Sequence, residues 1–103
     1  MSTVRSKNKT IDGEGQFTDA ISLSVGGFVE VTGSIGNTII NLQRLSTDGV
    51  TWLDVTDNYG DVVNLTSSPA IYTVNPQGID GSYRVGVKVG NYNNPVVVTI
   101  LGN

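Results

Sequence analysis

Residues 38–56 read TIINLQRLSTDGVTWLDVT, two runs of alternating apolar and polar residues joined at Asp48-Gly49. Gly takes positive φ without steric cost and Asp tolerates it better than most residues, so Asp-Gly between two such runs is a strong hairpin signal. With Asp48 and Gly49 as the two loop residues, Thr47 faces Val50, Leu45 faces Trp52, Gln43 faces Asp54 and Leu42 faces Val55. A three-residue loop with a bulge would instead set Leu42 against Asp54 and Arg44 against Trp52. Cross-strand packing selects the first register. Ile40, Leu42, Leu53 and Val55 are then expected to fill one face, while Leu45 and Trp52 point to the other.

Composition narrows the class around this hairpin. The chain has 103 residues, which suits one domain with one core. No stretch approaches the roughly eighteen consecutive apolar residues of a membrane span, and there is no apolar N-terminal segment of signal-peptide type. The expectation is a soluble protein that is not exported by the usual secretory route. There is no cysteine and no histidine, which removes disulfides, thiolate chemistry and the commonest general base and metal ligand. The residue mix favours strands, with 15 Val and 11 Thr beside 13 Gly and 10 Asn as turn formers. No window carries a 3.6-residue apolar period, so the chain reads as all-β.

Residues 1–14 are polar and begin MSTVRSKNKT, with Arg5, Lys7 and Lys9 making up half of all basic residues. From Ile11 onward nine acids face three bases, Arg44, Arg84 and Lys88. The reading is a basic N-terminal arm on an acidic domain spanning residues 15–103, the arm either solvated or docked on an acidic neighbouring surface. Three basic residues are too small a footprint for nucleic acid. Residues 17–25 read as a strand with Phe17, Ile21, Leu23 and Val25 on one face. Gly26-Gly27 ends it, and the chain is expected to cross to another sheet or shift register there, because a tight hairpin would oppose Leu23 and Glu30. Residues 28–32 and 38–45, with the hairpin, read as a three-stranded meander.

Two shorter runs follow at 62–65 and 70–74. Residues 82–89 alternate cleanly, with Tyr83, Val85, Val87 and Val89 on one face and Ser82, Arg84, Gly86 and Lys88 on the other. The apolar run 96–101 suits a strand covered on both faces. About eight short strands indicate a two-sheet antiparallel β-sandwich, immunoglobulin-like in preference to a jelly roll.

Motifs for chemistry are sparse. Asp54, Asp57 and Asp61 with Asn58 fall near one loop, but their spacing does not match a Ca²⁺ loop of EF-hand type, and loop solvation with Asx-turns is the favoured reading. Nothing sets the pKa of one carboxylate against another as glycoside hydrolysis requires, and Ser46 has no histidine base. No catalytic residue, metal site or cofactor is expected. The material is that of an interface: the basic residues Arg5, Lys7 and Lys9, and the outward pair Leu45 and Trp52. A small domain of this kind is also suited to forming a homo-oligomer.

Residues 46–52, STDGVTW, resemble the Asp-box, S-x-D-x-G-x-T-W, of hairpins in sialidases and other extracellular β-proteins, with the residue between Asp and Gly missing. In that family the box is structural and lies away from the catalytic site. A wider resemblance covers residues 28–101: Val29-Glu30-Val31, Leu42-Gln43-Arg44-Leu45-Ser46, Asp48-Gly49, Thr51-Trp52, Asp54-Val55 and Tyr83-Arg84-Val85-Gly86-Val87-Lys88. This succession is similar to small β-sandwich accessory proteins of tailed-bacteriophage virions, which read LQRS-x-DGG-x-TW and later YRVGVK. Leu45 before Ser46 and the single Gly after Asp48 depart from that pattern. The resemblance implies a non-enzymatic virion protein, assembled in the host cytoplasm. Such a protein would be a capsid decoration (cement) protein on the major capsid protein, or else a neck or tail accessory. A carbohydrate-binding module using Trp52 or tyrosines to stack on a glycan is the alternative from another class.

Overall fold

The computed structural model describes residues 4–103, and these form ten strands and no helix. In chain order the strands are β1 (Arg5–Ile11), β2 (Gln16–Phe17), β3 (Ile21–Leu23), β4 (Gly27–Gly33), β5 (Ile40–Leu45), β6 (Trp52–Asp54), β7 (Asn64–Leu65), β8 (Ala70–Val74), β9 (Gly81–Val87) and β10 (Val96–Gly102). They make two antiparallel sheets packed as a β-sandwich. One runs β1-β10-β4-β8; the other runs β2-β9-β5-β6, with β3 also on β9 and β7 also on β5. The excess over eight strands arises because β2/β3 and β6/β7 are two broken strands, each half laid along the same neighbour.

Counting each broken pair as one strand, every strand in the first half of the chain pairs with its counterpart from the other end: β1 with β10, β2/β3 with β9, β4 with β8, and β5 with β6/β7. The chain is therefore one long two-ply ribbon rolled into a barrel-like sandwich. This is jelly-roll connectivity, and it replaces the immunoglobulin-like expectation, in which the first strand lies beside the second. The Asp48-Gly49 hairpin is the closed end of the ribbon. It does not extend into a meander: β4 and β5 lie in opposite sheets, as do β3 and β4, so the crossing expected at Gly26-Gly27 occurs and a second crossing follows.

Alternation builds the core. Val29 and Val31 of β4, and Val96, Val98 and Ile100 of β10, face Ile40 and Leu42 of β5 and Tyr83, Val85 and Val87 of β9. Each is buried, and burying a side chain of this size contributes roughly 1.5–3 kcal/mol before the entropy of ordering it. On β10 only that face is buried; Val97, Thr99 and Leu101 are half-exposed, so the strand is not covered on both sides.

Residues 5–11 are not an arm. They form the edge strand β1, paired along its whole length with β10 from Arg5↔Gly102 to Ile11↔Val96, and Ile11 is fully buried. The ladder supplies backbone hydrogen bonds that a polar sequence needs as much as an apolar one. Arg5, Lys7 and Lys9 pair with the inward-facing row of β10, so they stand on the core-facing side of β1 at the rim of the sandwich.

The expected single strand over 17–25 is also corrected. Between Phe17↔Gly86 and Ile21↔Tyr83, three residues of one strand oppose two of the other, which is a β-bulge. The extra residue reverses the faces. Thr18 turns inward and is buried, with its Oγ1 accepting from Val85 N, while Phe17 turns outward. Val25 and Val89, expected on the apolar faces, lie beyond the strands and are exposed.

Candidate functional site

The outer face of the β9-β5-β6 sheet carries the densest set of specific side-chain contacts. The hairpin register places it there: Leu45↔Trp52, Arg44↔Leu53 and Gln43↔Asp54 pair as the sequence predicts. The tip differs from a two-residue loop. The last backbone bond is Ser46 N to Thr51 O, and Gly49 N donates to Ser46 O to close a β-turn, with Gly49 alone at positive φ. Asp48 organises the remainder. Its Oδ1 accepts from Val50 N and Thr51 N, and its Oδ2 accepts from Thr51 Oγ1. These bonds, Thr51 N first, hold the carboxyl below the usual carboxylate range.

Arg84 of β9 sits opposite Gln43 of β5, which sits opposite Asp54 of β6, giving one polar row across three strands. Arg84 Nε donates to Gln43 Oε1 at 2.9 Å, Gln43 Nε2 donates to Asp54 Oδ1 at 3.0 Å, and Lys88 Nζ donates to Asp54 Oδ2 at 2.9 Å. The amide of Gln43 can donate at one end and accept at the other only in this orientation. Asp54 is held below its ordinary pKa mainly by the Gln43 bond and then by Lys88.

The Arg84 guanidinium is held between two aromatic rings. Its carbon lies 4.0 Å from the Phe17 centroid and 4.4 Å from the Trp52 centroid. This is the geometry of a two-sided cation–π contact. Burial among these groups lowers the Arg84 pKa from its ordinary value. The bulge that turns Phe17 outward and Gly86 beneath it are what bring the ring to Arg84. A Cβ at residue 86 would run into the Gln16 carbonyl oxygen and stand 2.6 Å from Phe17 Cα. Beside this row, Asn41 is fully buried and donates to Val63 O and Asn64 Oδ1. Both partners are acceptors, which fixes the amide; its Oδ1 meets no donor of the described residues.

The interface residues picked out in the sequence divide between two places. Leu45 and Trp52 are a half-buried cross-strand pair on this face. Arg5 and Lys7 line the rim beside β3, where Arg5 Nη2 donates to Ser22 O, and Lys9 follows them on the same side of β1, opposite Val98. They do not adjoin Trp52. Phe17, Gln43 and Arg84 were missed as site residues, since only the β9–β5 pairing brings Arg84 to Gln43, and only the bulge brings Phe17 to Arg84. The loop carboxylates are turned to different tasks: Asp57 Oδ1 accepts from Tyr59 N and Asp61 N as an Asx-turn does, while Asp54 faces Gln43 and Lys88. Among the described residues no three acidic side chains converge as metal ligands would.

What the fold and this face define is a jelly-roll β-sandwich with an ordered cation–aromatic surface. Comparison with known proteins adds no relative to it: no family model, no curated protein and no solved structure matches the chain.

Proposed function

We propose that the protein is a non-enzymatic structural protein of a phage virion, a capsid decoration protein that docks on the major capsid protein through the outer face of the β9-β5-β6 sheet. One observation carries this reading: three of the separate segments that resemble phage accessory proteins, residues 42–46, 51–55 and 83–88, lie along three adjacent strands, and their outward side chains make one surface, while the remaining segment, Val29-Glu30-Val31, lies on β4 of the other sheet. That surface has the chemistry of an interface anchor. Trp and Arg dominate binding hot spots, and Arg84 is already fixed by two rings and Gln43, so little side-chain freedom is lost on docking. Jelly rolls recur in viral capsid domains, an analogy of fold that agrees with the reading without adding to the site.

The arm mechanism is replaced. Lys7 and Lys9 belong to a paired strand, so an electrostatic contribution to docking would come from the rim of the sandwich. The glycan alternative needs an open ring face; Arg84 covers one face of Trp52, so a stacking platform falls instead to a tyrosine such as Tyr59, which is 90% exposed.

Co-sedimentation of purified protein with heads assembled from the neighbouring structural genes tests the proposal. Wild-type protein should saturate the particles, and Trp52→Ala should weaken binding by tenfold or more, equivalent to at least about 1.4 kcal/mol. Absence of the protein from the particle fraction, or occupancy unchanged in a folded Trp52→Ala variant, would overturn it.

A further inference from the structure

Where the two sheets part between β6 and β8 lies a cleft of about 460 Å3, within the roughly 300–1,000 Å3 of small-molecule sites. Its floor is Leu42 and Tyr83, Tyr72 of β8 stands in one wall, and most of the remaining lining is polar. Leu53 borders it from the core-facing side of β6, opposite Arg44, which is why Leu53 is 53% exposed although the sequence placed it in the interior.

Tyr83 gives the floor a chemical function. It is only 5% exposed and packs in the core, yet its hydroxyl makes no hydrogen bond to any described residue and is not fully enclosed. Buried polar groups ordinarily have partners, so this hydroxyl presents a donor and an acceptor to whatever enters the cleft. The two ends of the cleft also keep unused hydrogen-bonding capacity. At the end set by the Arg44↔Leu53 pair, the Arg44 guanidinium has five N–H groups and engages one, from Nη2 to Asp80 O. Asn75 follows β8 at this end; its Oδ1 accepts from Gln77 N, and its Nδ2 has no partner among the described residues. At the other end, Asp57 commits Oδ1 to the Asx-turn, which leaves Oδ2, and Asn58 beside it has a free amide.

The spacing and the mixture of groups decide the ligand class. Leu53 and Asp57 are four residues apart, about 13 Å of extended chain, whereas one amino acid spans roughly 3.8 Å and could not join Arg44 to Asp57. A phosphate-bearing ligand would meet one arginine beside Asp54 and Asp57, on a body with nine acids against three bases from Ile11 onward. A sugar chain fits both conditions. Its hydroxyls donate and accept along each ring edge, as the planar carboxylate, amide and guanidinium groups require, and its C–H faces pack on tyrosine.

We propose that this cleft binds a neutral oligosaccharide of two or more rings, held by the Tyr83 hydroxyl and Asp57 Oδ2, with Arg44 and Asn75 donating and Tyr72 packing against a ring face. Trp52 stands on the opposite side of β6 from Leu53, so the inference does not rest on capsid docking, and either stands if the other fails.

The test is NMR titration of the isotope-labelled protein with maltose, cellobiose, lactose and N,N′-diacetylchitobiose, each to about 50 mM. At least one should bind saturably, with a dissociation constant of about 1–10 mM and shift changes on the amides of residues 53–58 and 72–77. Tyr83→Phe keeps the ring and removes only the hydroxyl, so it should weaken binding about fivefold or more without lowering the urea midpoint. Asp57→Asn, which retains the Oδ1 acceptor of the turn, should weaken it similarly, and Trp52→Ala should leave it unchanged. No saturable binding of any of the four sugars, shift changes away from the cleft, or affinity unchanged in both folded cleft variants overturns the proposal. So does binding lost in Trp52→Ala and kept in Tyr83→Phe, which would place the sugar on the outer face.

Discussion

Asp48 and Asp54 hold their protons less firmly than an ordinary carboxyl group, the first through turn amides and the second through Gln43 and Lys88. Their folded pKa values lie below the unfolded value, so the stabilisation they give is complete above that value and is lost as pH falls through the folded one. Urea midpoints measured from about pH 6 to about pH 2 should therefore decline toward acid, and the decline should be shallower in the Asp48→Asn, Asp54→Asn double variant, which starts from lower stability. Parallel curves would remove these two groups as the cause. A second single-residue effect concerns Gly86. The atoms that a Cβ would meet are backbone, the Gln16 carbonyl and Phe17 Cα, so relief requires moving β2 and with it the Phe17 ring. Gly86→Ala should cost about 2 kcal/mol or more in urea unfolding, among the larger effects of a single methyl group, and should redshift Trp52 fluorescence as the Arg84 stack loosens. Unchanged stability and emission would show that β2 shifts without consequence.

At the level of elements, β1 shows best why some of the structure was legible and some was not. The β5–β6 register followed from the sequence because apolar residues lie on both strands of a local hairpin, and a one-residue slip would have paired Leu42 with Asp54. β9 followed from its alternation. β1 could not be read this way: RSKNKT has no apolar row, since its core-facing positions fall at the rim where Lys7 and Lys9 reach water. Periodicity also cannot say which strands pair across 60 or more positions, and for that reason the sandwich was legible and its jelly-roll order was not. The bulge reversing Phe17 and Thr18 hid part of the candidate face in the same way. The lysines on β1 have a predictable role. Replacing Lys7 and Lys9 with Val leaves the β1–β10 ladder intact while removing inward charge from an edge, so the double variant should aggregate faster on heating, as followed by light scattering. Equal aggregation rates would assign edge protection elsewhere. Deleting residues 1–10 is a harsher change, because it strips the ladder from β10 and bares the run VVVTILG as an edge; that truncation should destabilise the fold rather than merely lighten it.

The ribbon as a whole sets the order of assembly. Its closed end, the Asp48-Gly49 hairpin, is local, whereas its open end joins residues far apart in sequence: Asn8 Nδ2 donates to Thr99 Oγ1 across 91 positions. Loop-closure entropy must be met before such a contact stabilises anything, so folding of the natural chain should be slow, with β1–β10 docking after the hairpin and β9. Circular permutation separates the contact from its sequence distance. Residues Arg5 and Gly102 are paired neighbours, so a linker of about six residues can join the ends, and new termini fit at Tyr59-Gly60, an exposed turn. Shortening the closing loop by about three doublings, at about 0.6 kcal/mol each, is worth about 2 kcal/mol. If β1–β10 pairing is complete in the transition state, the permutant folds roughly thirtyfold faster with unchanged unfolding. If docking is late, as the ribbon order requires, the gain appears in slower unfolding instead. Stopped-flow chevrons of the two proteins distinguish these outcomes, and a faster folding arm with an unmoved unfolding arm would reject hairpin-first assembly.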